Sequence, residues 1–142
     1  MIKSLKSKGN DLSVAENQVR ILGESSLKIP LFKDKLENLA QFPLRPLHTE
    51  ILQINLGKMC NQTCEHCHVD AGPDRKEIMT QETMQLCLNA VRKSSINTVD
   101  LTGGAPEMNP QFQWFVEELS KLGKKIIVRS NLTILVANKR YR

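Results

Sequence analysis

Large rings are scarce in this chain. Aromatic residues make up 4 % of its 142 residues, with one Trp and one Tyr, so few side chains could stack on nucleic-acid bases. No basic stripe is interleaved with aromatics, and a nucleic-acid partner is not expected. Long apolar runs are missing as well. Nothing approaches the ~18 uninterrupted residues that a membrane-crossing helix needs, and no membrane partner is expected. The opening MIKSLKSKGNDLS is basic but has no apolar stretch of the kind that directs secretion. A cytoplasmic location is the expectation. No internal repeat points to a stacked solenoid.

What is present is globular in composition, with 40 % apolar and 25 % charged residues. The net charge is +5, from 20 basic and 15 acidic residues. Lys3, Lys6 and Lys8 lie in the opening segment and Lys139, Arg140 and Arg142 in the closing one. Both ends are expected to fray, leaving a solvated basic surface.

The chain divides into an amino-terminal appendage over residues 1–26, a core over 27–137 and a basic tail over 138–142. Within the appendage a short helix is possible over 14–22, among the breakers Gly9, Asn10, Gly23, Ser25 and Ser26. Phe32, Leu36, Leu39 and Ala40 recur at helical spacing and predict an amphipathic helix over 31–41, stopped by Pro43 and Pro46. Residues 50–56 are apolar and β-branched and read as a strand ending at Gly57. Thr80 is placed to cap a helix over 81–93, whose Met84, Cys87, Leu88 and Val91 share one face. A second strand over 97–102 ends at Gly103 and Gly104. Asn109 can cap a third helix with Pro110 at its first position, burying Phe112, Phe115, Val116 and Leu119 before Gly123 ends it. A third strand covers 125–130.

Strands alternating with helices predict an α/β fold with a parallel sheet of βαβ units. Such sheets carry their chemistry in loops at the carboxyl ends of the strands. Three of the four cysteines follow the first strand and the glycine pair follows the second, so both belong to one rim. Three strands alone leave backbone exposed at both sheet edges, and the chain reads as stopping mid-architecture.

Cys60, Cys64 and Cys67 have the spacing C-x3-C-x2-C. Three thiols in a loop cannot pair off among themselves, and in a chain without an export signal such a cluster points to metal binding or redox chemistry. Three thiolates can ligate three irons of a cubane [4Fe-4S] cluster, leaving the fourth iron open to a non-protein ligand. The alternative is zinc, held by the three cysteines and His66 or His68, although zinc sites usually pair two separated knuckles and His48 forms no second one. Cys87 lies on the apolar face of its helix and reads as a small buried hydrophobe. Asp70, Asp74 and Arg75, in the loop after the cysteines, read as surface charges, with shaping of the cluster pocket as the alternative.

The triplet after the first strand, with the wider string LQINLGKMCNQTCEHCHVDAGPDRKE and then TGGAPEMNP and VRSNLTIL, resembles radical S-adenosylmethionine (SAM) enzymes. Within that superfamily it is similar to the arsenosugar biosynthesis branch, from residue 29 to 136. The resemblance implies a partial (β/α) barrel of about three βα units out of six strands. It implies that Cys60, Cys64 and Cys67 hold a [4Fe-4S] cluster whose fourth iron is chelated by SAM. Reduction by an electron donor would then release a 5′-deoxyadenosyl radical, which this branch joins to a methylated arsenical, a small-molecule substrate. His66 occupies the position before the last cysteine, where the family's backbone approaches the adenine. Gly103 and Gly104 match the glycine pair of the family's GGE motif, whose acid is replaced here by Ala105, with Glu107 two residues on. Ser130 and Asn131 are further candidates to face the cofactor. The divergence into VANKRYR and the absence of the later strands predict a truncated or frame-shifted product. A non-catalytic zinc or iron–sulfur module, or an inactive remnant, is the rival reading.

Overall fold

Apolar residues at alternate positions of three short strands set the architecture. The computed structural model describes residues 3–24 and 30–141; the boundary expected between residues 26 and 27 lies outside them, as do Ser25 and Ser26. In chain order the elements are α1 (Ala15–Gly23), α2 (Phe32–Asn38), β1 (Ile51–Asn55), α3 (Gln81–Arg92), β2 (Thr98–Thr102), α4 (Phe112–Lys121), β3 (Lys125–Val128) and α5 (Thr133–Ala137). Short 3-10 turns at Lys6–Lys8, Asp11–Ser13, Pro106–Met108 and Lys139–Tyr141 join them. Among the described residues no helix is long and apolar enough to cross a membrane.

The sheet is parallel throughout, in the order β1-β2-β3. Gln53 pairs with Asp100, which pairs with Ile127 on the far side. Period-two alternation turns Leu52 and Ile54, Val99 and Leu101, and Ile126 to one face. There they pack with Met84, Leu88 and Val91 of α3 and Phe115 and Leu119 of α4. Each fully buried side chain of this size stabilises the fold by roughly 1.5–3 kcal/mol. The opposite face is mixed, with Ile51 and Ile127 exposed beside polar side chains. Arg129 Nε and Nη2 donate to the Asp100 carboxylate at 3.0 and 2.7 Å, and Gln53 Nε2 donates at 3.1 Å. The Arg129 guanidinium holds Asp100 below the usual carboxylate range.

The helix over 81–93 forms as expected, with the Thr80 hydroxyl accepting from Thr83 N. Cys87 packs partly buried against the core, and burial pushes its thiol up. Two expectations need correction. The third helix starts at Phe112, not at Pro110. Asn109 does not cap it; its Oδ1 accepts from Gln111 N, in a turn before the helix. In α2 only Leu36 is buried, while Phe32 and Leu39 stay exposed, so the predicted apolar face does not pack as one.

Candidate functional site

The rim at the carboxyl ends of the strands is built by backbone pairing that outlasts the strands. Leu56 N donates to Thr102 O, and Gly57 then turns with φ +136°. A Cβ there would lie 2.5 Å from Glu77 O, so the turn requires glycine. Residues 58–60 thread between two neighbours. On one side Cys60 N donates to Gly72 O and Gly72 N to Lys58 O; on the other Gly104 N donates to Gly57 O and Ala105 N to Met59 O. Cys60 is thereby wedged against Ala71 and Ala105.

The glycine pair explains how the wedge closes. A Cβ on Gly104 would collide with the Met59 carbonyl and stand 2.9 Å from the Cys60 Cβ. Gly103 has φ +138°, where a side chain is strained. Ala105, buried, completes the contact. Gly103, Gly104 and Ala105 therefore stand beside the first cysteine, as the shared-rim expectation required.

The three loop cysteines are free thiols graded in exposure: Cys60 buried, Cys67 half-buried and Cys64 exposed. Two of the sulfurs receive N–H donors. Gln62 N and Asn131 Nδ2 point to Cys60 Sγ at 3.4 and 3.5 Å, and Ala71 N points to Cys67 Sγ at 3.3 Å. Such donors suit negative sulfur and tune iron–sulfur clusters. Among the described residues no three His, Cys, Asp or Glu side chains stand close enough to enclose one metal ion. A cubane places its thiolates on separate irons, so the test of fit is the donor set. Soft thiols on one loop, with N–H groups aimed at two of them, do fit an iron–sulfur cluster.

Asn131 joins the site from the third strand's loop. Its amide also donates to Asn61 Oδ1, and its own Oδ1 accepts from the Thr133 hydroxyl and Ile134 N. Ser130 does not reach the cysteines in this way; its hydroxyl accepts from Leu132 N. His66 is exposed. It lines a cavity of about 300 Å³ with Leu5, Leu12, Ile21, Leu22 and Cys67.

The loop after the cysteines departs most from expectation. Asp70 and Arg75 are buried, not surface charges, whereas Asp74 is exposed. Arg75 Nη1 pairs with the Asp70 carboxylate, and its Nε and Nη2 donate to Glu77. That pairing raises Arg75 above, and holds Glu77 well below, the usual values. Nor does the opening segment fray from Ser4 onward. Leu5 N and Lys6 N donate to Asp70 at 2.6 and 3.0 Å, and the buried Ser4 hydroxyl donates to Asp74 at 2.7 Å. No local spacing announces contacts 65 residues apart.

Two further residues matter near the glycines. Asn109 is buried, and its amide donates to Leu56 O and Met79 O at 3.0 Å each, tying the end of the first strand to the entry of α3. Glu107 is also buried, and its Oε2 has no hydrogen-bond partner. It borders a cavity of about 490 Å³ with Asn109, Phe112, Gln113, Glu117 and Tyr141.

A family model described as the Radical SAM superfamily matches residues 54–139. Over 98 residues the chain is 30 % identical to a probable GTP 3′,8-cyclase of Saccharolobus islandicus (strain Y.N.15.51), covering 69 % of this chain and 31 % of that protein. It is 35 % identical over 79 residues to a probable GTP 3′,8-cyclase of Saccharolobus solfataricus, covering 56 % and 25 %. A probable GTP 3′,8-cyclase of Sulfolobus acidocaldarius is 30 % identical over 76 residues, covering 54 % and 24 %. The chain thus spans under a third of the length of these curated relatives. Their name is not that of the arsenosugar branch expected from the motif strings, and the comparisons reach the superfamily and not that branch.

Proposed function

This chain belongs to the radical SAM superfamily, and from that premise we propose that it binds a [4Fe-4S] cluster through Cys60, Cys64 and Cys67 and SAM beside it. Bound together and given one electron, the two cofactors supply a 5′-deoxyadenosyl radical. The chain's own residues bind and orient. Cys60 is immobilised between the loop at Gly72 and the glycine pair, and N–H groups are aimed at the Cys60 and Cys67 sulfurs, as they are at the ligand sulfurs of iron–sulfur clusters. Gly103 and Gly104 carry no side chain to collide with residues 57–60, so the backbone leading into Cys60 packs directly against them and the first cysteine is held in place. Glu107 offers a buried carboxylate oxygen with no internal partner, chemically suited to the ammonium group of SAM in place of the acid that Ala105 lacks. Asn131 reaches Cys60 from the loop after the third strand, and His66 lines a cavity together with Cys67. Ser130 remains a candidate contact of the same cofactor.

The observation that carries this reading is the set of N–H donors aimed at two of three clustered sulfurs. Anaerobic reconstitution tests it. The expected result is ~4 Fe per chain, with an EPR spectrum that changes when SAM is added. Stoichiometric zinc without iron would overturn the reading in favour of a non-catalytic metal module. The partner is an electron donor, and free thiols suit the reducing cytoplasm.

For the acceptor, the motif string around the cysteines favours a methylated arsenical. The names of the relatives favour a second reading, cyclisation of GTP. The reconstituted protein is to be offered each compound with a reductant. Deoxyadenosine bound to arsenic supports the first, a cyclised guanosine nucleotide the second, and unchanged compounds sink both.

A further inference from the structure

The peptide joining Asp70 to Ala71 is held from both ends. Its N–H, on Ala71, points to Cys67 Sγ at 3.3 Å. Its carbonyl, on Asp70, accepts from Arg75 Nη1 at 2.8 Å. Because a peptide is planar, the guanidinium that fixes the carbonyl also fixes the direction of the N–H. Arg75 cannot drift, since its other nitrogens are bound to Glu77 and its Nη1 also meets the Asp70 carboxylate. Asp70 cannot drift either. Its carboxylate collects Leu5 N and Lys6 N, and its own N–H donates to Cys67 O at 3.0 Å. Its backbone sits at φ +50°, a left-handed conformation that surrounding contacts must sustain.

We propose that Asp70 and Arg75 are positioning residues for the third cysteine, and that residues 4–6 are the strap that keeps them in register. An ion pair exposed on a loop could not do this. Asp70 and Arg75 are 4 % and 5 % exposed, and the strap supplies two of the donors that a buried carboxylate requires. Ser4 adds a second fastening, through its N–H and hydroxyl to Asp74. The amino-terminal segment is thus part of the site, acting through one peptide on one sulfur. The consequence for a bound cluster rests on the function proposed above. An N–H donor to a thiolate favours the more negative, reduced form, so losing it lowers the reduction potential.

The test uses the full chain with Arg75→Lys, which keeps the charge but not the fork, and Asp70→Asn. In the metal-free protein, hydrogen exchange of the Ala71 amide, read by NMR, is expected to speed up about tenfold, while the α3 amides keep their wild-type rates. In the reconstituted protein the cluster potential is expected to move to a more negative value. Unchanged Ala71 exchange in both variants overturns the proposal, and so does fast exchange with an unmoved potential. Should either variant also loosen α3, Ser4→Ala decides, because it leaves the ion pair intact: faster exchange at Leu5 and Ala71 alone supports the strap, and no change overturns it. The exchange measurement needs no cluster. A wild-type chain that takes up no iron would sink the proposed function while leaving this result readable.

Discussion

Backbone approach at Gly104 leaves no room for the smallest side chain. For Gly104→Ala the Cβ would run into the Met59 carbonyl, and backbone cannot swing aside as a flexible side chain can. The expected cost is about 1–3 kcal/mol. Iron uptake on reconstitution should fall with it, because Cys60 shares the contact; a thermal melt and iron analysis check both. Glu107 makes the opposite case. A buried carboxylate oxygen without a partner is destabilising, so Glu107→Gln is expected to raise stability by on the order of 1 kcal/mol, read as a higher melting midpoint. The same change is expected to weaken SAM binding to the reconstituted protein, measured by calorimetry. Lower stability, or unaltered SAM affinity, would exclude the role proposed for this residue. The cysteine triplet and the glycine pair were legible in the sequence because their spacing is local. Asp70 and Arg75 were not, because a charge in a glycine-bordered loop reads the same whether water or a distant amide satisfies it.

Among the helices, α3 buries the most side chains, with Met84, Leu88 and Val91 each 0 % exposed. Leu88→Ala is expected to cost about 2–5 kcal/mol, checked by denaturant unfolding. Thr80→Ala removes one capping acceptor and is expected to cost about 1 kcal/mol in the same assay. The order of strands and helices was readable because a period of two and a period of 3.6 are visible in any window that long. Helix boundaries were less so. The sequence Asn109-Pro110 has the look of a helix start, yet Asn109 Oδ1 accepts from Gln111 N in a turn, its amide ties Leu56 O to Met79 O, and the helix begins at Phe112. The apolar positions of α2 have helical spacing without a surface to cover all of them, which shows that periodicity reports a capacity to pack and not a partner.

Across the whole molecule, the amino-terminal segment and the loop at residues 70–77 form one assembly. Hydrogen bonds from Ser4 and Ser7 hold Asp74 at about 2, against an ordinary 3.8. A depressed folded value means that this fastening contributes fully above pH 3.8 and is lost as pH falls toward 2. The protection of the Ser4 amide against exchange should therefore drop in that interval. Asp74→Asn should abolish the dependence, and an unaltered pH profile in that variant would refute the assignment. A composition that places three lysines in the opening segment suggested a loose tail; the carboxylates that gather its backbone lie too far along the chain for any sequence window to reveal.

The graded exposure of the loop thiols also fixes how the metal-free chain ages in air. Oxidants meet Cys64 first, Cys67 next and Cys60 last. Damage therefore starts at the outermost sulfur, and the cluster ligation proposed for these thiols is lost before oxidation reaches the buried Cys60.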